Sequence, residues 1–132
     1  MDKIELVKKA IEARNNAYAP YSKFKVGAAL VTKSGEVYIG ANMENASYGL
    51  TCCAERNCIF GAYSRGVKKE DIVALAVVGD TEGPCSPCGA CRQVISEMVP
   101  LDCKIYLGNL KLDILETSVK ELLPYAFDSS EL

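Results

Sequence analysis

The chain contains no histidine among its 132 residues. A Ser-His-Asp triad, a Cys-His pair and any imidazole-bound metal are therefore excluded. Acid–base chemistry near neutral pH falls instead to a tuned carboxylate, cysteine, lysine or tyrosine. No apolar run approaches the roughly 20 residues that span a bilayer, so no membrane association is expected. The first ten residues are charged and helix-like and lack the apolar core of a signal peptide, which points to the cytoplasm. Blocks of lysine and arginine are missing too. Fifteen basic and 17 acidic residues are interspersed, for a net charge of −2. Nucleic-acid binding depends on clustered cations that neutralise phosphate, so the balance argues for a small substrate. No linker, repeat or low-complexity segment interrupts the chain, and its length fits a single domain over 1–132.

What the chain does have is an apolar fraction of 49%, enough for a packed interior, and seven cysteines. In a reducing compartment such a count points to metal binding or catalysis more than to disulfides. Asp2 can cap a first helix running to about Tyr18, with Ile4, Val7, Ile11 and Tyr18 at helical spacing and Ala10, Ala13 and Ala17 beside them. Pro20 ends it. Residues 24–32 read as a strand covered on both faces, and Ser34-Gly35 as a hairpin turn returning through Val37-Tyr38-Ile39. Residues 42–51 are polar loop. Cys53 to about Ser64 has helical spacing through Ala54, Cys58, Phe60 and Ala62. Residues 72–79 form a buried strand, 81–87 a loop, and 89–98 a helix stopped by Pro100. A fourth strand covers 103–107, a turn falls at Gly108-Asn109, and a fifth strand covers 112–115. Ser118 caps a last helix over 119–123. Alternating strands and helices predict a three-layer α/β/α sandwich around a mixed, five-stranded sheet.

The chemistry concentrates in Cys53-Ala54-Glu55 and Pro87-Cys88-Gly89-Ala90-Cys91. Three sulfurs could grip one zinc ion, and Glu55 is a carboxylate to spare. Structural zinc sites are closed by four protein ligands, whereas catalytic sites keep a position open for water. Cys53 and Cys88 each fall where a helix begins, where the backbone N–H groups and the helix dipole favour thiolate. Cys88 and Cys91 are three residues apart, on one helical face. Glu55, two residues after Cys53, points elsewhere than the ligand and is placed to move a proton. Three thiolates on Zn²⁺ leave an excess charge of −1, which Arg56 can offset by hydrogen bonds to the ligand sulfurs. Cys52 and Cys85 flank the motifs, and either could fill the fourth position and close the site.

These motifs, with Ala19-Pro20-Tyr21-Ser22-Lys23-Phe24, Val26-Gly27-Ala28-Ala29, Asn42-Met43-Glu44-Asn45-Ala46-Ser47-Tyr48, Cys53-Ala54-Glu55-Arg56, Ser86 through Gln93 and Glu121 through Phe127, resemble the short, single-domain cytidine deaminase family along nearly the whole chain. The resemblance implies hydrolysis of cytidine and 2′-deoxycytidine to uridine and 2′-deoxyuridine with loss of ammonia, in pyrimidine salvage. It implies one zinc per chain on Cys53, Cys88 and Cys91, attack of zinc-bound hydroxide at C4, and Glu55 as the proton shuttle. Asn42 and Glu44 would bind the ribose hydroxyls, and Phe24 would pack on the nucleoside. Phe127, with Ala46 and Tyr48, would contribute to sites shared between subunits of a homotetramer. Deamination of a related nucleoside, such as the antibiotic blasticidin S, is a neighbouring possibility. A non-catalytic zinc-stabilised module is a more distant one, and it requires four protein ligands.

Overall fold

The computed structural model of the chain describes residues 1–132 apart from the side chain of Glu131. Asp2 caps α1 (Lys3–Arg14) as expected, its carboxylate accepting from the Glu5 N–H at 2.8 Å. The helix stops four residues short of Tyr18 because the N–H groups of Asn15, Asn16 and Ala17 bond three residues back and tighten the chain into turns. Its buried face agrees with the reading at Val7, Ala10 and Ala13 and departs from it at Ile4 and Tyr18. Leu6, Val7, Ala10 and Ala13 are buried, while Ile4 and Tyr18 are exposed.

The strands β1 (Val26–Thr32), β2 (Val37–Ala41), β3 (Ile72–Gly79), β4 (Lys104–Asn109) and β5 (Leu115–Thr117) form one sheet in the order β2-β1-β3-β4-β5. Only the β3–β4 pair is parallel. The β1–β2 hairpin closes on Gly35 at φ +88°, a left-handed conformation that glycine adopts without strain. Three further α-helices are α2 (Ala54–Ser64), α3 (Gly89–Met98) and α4 (Val119–Leu122). Ala29, Val31, Ala76 and Val78 face α1 on one side of the sheet. Ala28, Leu30, Leu75 and Val77 face Ala54, Ile59 and Ile95 of α2 and α3 on the other. The expected three layers are therefore present, and β1 and β3 are buried on both faces.

Two glycines set how closely the helices approach. A Cβ on Gly27 would lie 2.0 Å from the Ala10 carbonyl oxygen of α1, and one on Gly40 would lie 2.4 Å from the Cys58 nitrogen of α2. Two sequence boundaries are corrected. Gly108 and Asn109 end β4 instead of forming the turn, and β5 begins at Leu115. The cause is Asn109, fully buried, whose Oδ1 accepts from the Lys111 and Asp113 N–H groups and so pins the turn one step later. No helix among the described residues is long and apolar enough to cross a membrane.

Candidate metal centre and active site

The topology explains why the two cysteine motifs meet. β2 and β3 both run antiparallel to β1, so they point the same way and end at the same edge of the sheet. The segments that follow them lead into α2 and α3, whose N-termini open at that edge, where β1 also begins. Sites in open α/β sheets form in this position, beyond the strand ends. Cys53 is the N-cap of α2 and Cys88 that of α3, and neither sulfur is used to cap its own helix. Both are left free to face each other.

The sulfurs of Cys53, Cys88 and Cys91 lie within 4.8 Å of one another, the Cys53–Cys88 pair at 3.7 Å. Tetrahedral zinc with Zn–S bonds of about 2.3 Å sets its sulfurs about 3.8 Å apart. The Cys53–Cys88 pair already matches that spacing. Their protons are already shared unequally. The Cys53 thiol is pulled down to about 5, first by the hydrogen bond from Cys91, with Arg56 and Cys88 helping against the cost of burial. Cys91 is pushed up correspondingly. Arg56 donates from Nη2 to the Cys53 sulfur at 3.3 Å. Its Nε is buried without a partner.

Glu55 is only 4% exposed, and burial raises its carboxyl above the ordinary range. Such a group holds a proton more readily than a solvated carboxylate does. Cys52 and Cys85 stand apart from the trio. Among the described residues the metal-sized cluster contains neither, and burial raises both thiols, Cys85 to about 11. Fourfold closure by cysteine is therefore not built here.

Of the other expected contacts, Glu44 and Tyr48 line one cleft. Asn42 is buried, its Oδ1 accepting from the Val26 N–H at 2.8 Å and its Nδ2 donating to the Phe24 carbonyl at 2.9 Å. It thereby ties the end of β2 to the start of β1. Glu44 accepts from the Tyr21 and Ser22 N–H groups and from the Ser22 hydroxyl, which holds its carboxyl below the ordinary range. Beside it, a cleft of about 480 Å³ is lined by Tyr21, Ser22, Glu44, Asn45, Tyr48 and Thr51. The three sulfurs lie outside that lining. Phe24 precedes β1 and remains 41% exposed, so it is not a core residue opening a strand. Tyr48 and Phe127 are exposed, and Ala46 lies in the exposed loop before Tyr48.

Arg92 lies inside the motif over residues 86–93, but no role was assigned to it from the sequence. Its guanidinium bonds the Pro87 carbonyl, the Ser86 hydroxyl and the Leu122 carbonyl. The nearest hint was its position directly after Cys91.

The zinc-binding region model of cytidine and deoxycytidylate deaminases matches residues 1–107. A cytidine deaminase of Halalkalibacterium halodurans is 59% identical over 132 residues, covering 100% of this chain and 98% of the relative. One of Sporosarcina psychrophila is 54% identical, covering 100% and 96%. The crystal structure of cytidine deaminase from Burkholderia pseudomallei superposes with a TM-score of 0.93 at 51% identity, covering 96% of this chain and 100% of that one.

Proposed function

The chain belongs to the zinc-binding cytidine and deoxycytidylate deaminase family, and from that premise we propose how its side chains divide the work of hydrolysing cytidine and 2′-deoxycytidine. The reaction consumes one water and yields uridine or 2′-deoxyuridine and ammonia. The observation that carries the reading is the meeting of three sulfurs and one buried carboxyl at two helix starts. Cys53, Cys88 and Cys91 would hold a zinc ion, which would lower the pKa of the reacting water toward neutrality.

Glu55 takes a proton from the attacking water, delivers it to N3 of the pyrimidine and then assists the departure of the C4 amine. Its raised pKa suits both halves of that cycle. Arg56 offsets the excess negative charge on the thiolates. Glu44, pre-set by Tyr21 and Ser22, accepts from the ribose hydroxyls, chiefly the 3′ one. Asn42 assists with the amide N–H that its backbone bonds leave free. Phe24 offers its exposed ring to the nucleoside.

Tyr48 and Phe127 are 81% and 53% exposed, large side chains of the kind an assembly covers. This supports a homotetramer in which they and Ala46 serve sites shared between subunits. Cytoplasmic pyrimidine salvage, carried by a single domain over 1–132, completes the proposal.

The test is the loss of cytidine absorbance, measured with zinc-loaded native protein and with Glu55→Gln. We expect turnover to fall by about 10²- to 10⁴-fold while zinc stays bound. A zinc-loaded native chain without turnover overturns the deaminase reading. Full turnover in Glu55→Gln removes only the proton shuttle. Running blasticidin S in parallel separates the two nucleoside substrates.

A further inference from the structure

We propose that Arg92 is a positioning residue that fixes the metal-binding turn and ties it to the C-terminal segment. The proposal rests on the zinc assignment to Cys53, Cys88 and Cys91. Arg92 follows Cys91 on α3, and its three guanidinium nitrogens reach three separate places. Nε donates to the Pro87 carbonyl at 2.9 Å, Nη2 to the Ser86 hydroxyl at 2.7 Å, and Nη1 to the Leu122 carbonyl at 2.9 Å. All three acceptors are neutral. Among the described residues Arg92 forms no ion pair with a carboxylate. A cation spent wholly on neutral acceptors is placed for its shape, since a planar fork holds several acceptors at fixed angles.

The turn it holds has little else. Ser86, Cys88, Gly89 and Ala90 are exposed, and only Pro87 is buried. Upstream, the Cys85 N–H is tied to the Gly108 carbonyl at 3.0 Å. From there to the first turn of α3, the polar ties of Ser86 and Pro87 among the described residues run to Arg92. The turn delivers Cys88, the most exposed of the three ligands. The third bond reaches the end of α4, and the adjacent Gln93 donates to the Phe127 carbonyl at 2.9 Å. One stretch of α3 therefore grips the metal turn on one side and the chain's last segment on the other. Arg92 belongs to both grips and Gln93 only to the second.

The experiment compares zinc transfer to a chelating dye from native protein, Arg92→Met, Arg92→Lys and Gln93→Leu, all first loaded with zinc. Outer partners of metal ligands are worth about 10- to 100-fold in metal affinity, and that loss is expected in Arg92→Met. Arg92→Lys keeps the charge and loses the fork, so it should stay closer to Met than to native. Gln93→Leu should hold zinc within about twofold of native, because it leaves the turn intact. In the arginine variants kcat should fall more than KM rises, since the ribose-side residues are untouched. Native-like zinc retention in both arginine variants overturns the proposal. So does Gln93→Leu losing zinc as fast as Arg92→Met, which would reduce the effect to loosening of the C-terminal segment. If Arg92→Met does not fold, the lysine variant carries the test. A native chain that holds no zinc would instead defeat the site assignment, which separates the two failures.

Discussion

Gly40→Ala adds one methyl group, and the structure indicates where its effect should appear. The new Cβ would sit 2.4 Å from the Cys58 nitrogen, 2.7 Å from the Ala54 carbonyl oxygen and 2.8 Å from the Cys58 Cα. These are backbone atoms of α2, which cannot swing aside as a side chain can. The shortest falls about 1 Å below the 3.4 Å at which ordinary contact begins, so the helix has to retreat by about that distance. Overpacking of this kind costs about 1–3 kcal/mol, a loss of several degrees in Tm for a domain of this size. The larger consequence is catalytic. Cys53 caps α2 and Glu55 lies in its first turn, and a misplacement of 1 Å can cost about 10²-fold in rate. Gly27→Ala is the control. Its Cβ clashes at 2.0 Å with the Ala10 carbonyl oxygen and at 2.5 Å with the Arg14 nitrogen, on a helix that carries no site residue. It should cost more stability than Gly40→Ala and spare the kcat of the folded, zinc-loaded fraction. Thermal unfolding and cytidine turnover per bound zinc decide the matter. Turnover within about threefold of native in Gly40→Ala would refute the coupling of helix position to rate. Equal rate losses in the two variants would refute it as well.

Two further outcomes follow from the same geometry. Cys52→Ala and Cys85→Ala should each retain close to one zinc per chain, because neither sulfur belongs to the trio, whereas alanine at Cys53, Cys88 or Cys91 should abolish binding; metal analysis of the purified proteins checks this, and zinc loss in either of the first two contradicts it. Ser22→Ala removes the main hydrogen bond that holds the Glu44 carboxyl below its ordinary range. Glu44 then takes up its proton at a higher pH, so as pH falls the rise in KM for cytidine should begin earlier than in native protein. Superimposable acid limbs in the KM profiles of the two proteins would rule this out.

Elements with strong punctuation were legible from the residues. The unbroken apolar run of β3 and the Gly89–Met98 helix, closed by Pro100, lie where the pattern put them. α1 was blurred because Leu6 shares its buried face with Val7 and two alanines, while the larger Ile4 lies in solvent. The turn after β4 was misplaced because Gly-Asn reads as a turn whether asparagine occupies it or organises it from one step before. Asn109 does the latter, also donating from Nδ2 to the Thr81 and Glu82 carbonyls. The sulfur trio could be read because ligand spacing survives in one dimension. Arg92 could not, since one of its acceptors lies 30 residues away and two of the three are backbone carbonyls, which leave no trace in composition.

Cys53 and Cys88 are 35 residues apart, with α2 and β3 threaded between them. In small zinc modules the ligands are near neighbours in the chain, and metal binding drives folding itself. Here the sulfurs converge only after β3 has been inserted between β1 and β4, and such non-local pairings form slowly. The sheet and its two apolar clusters are built from residues other than the three ligands' sulfurs. A chain stripped of zinc is therefore expected to keep its sheet, with the supply of zinc governing only the completion of the site.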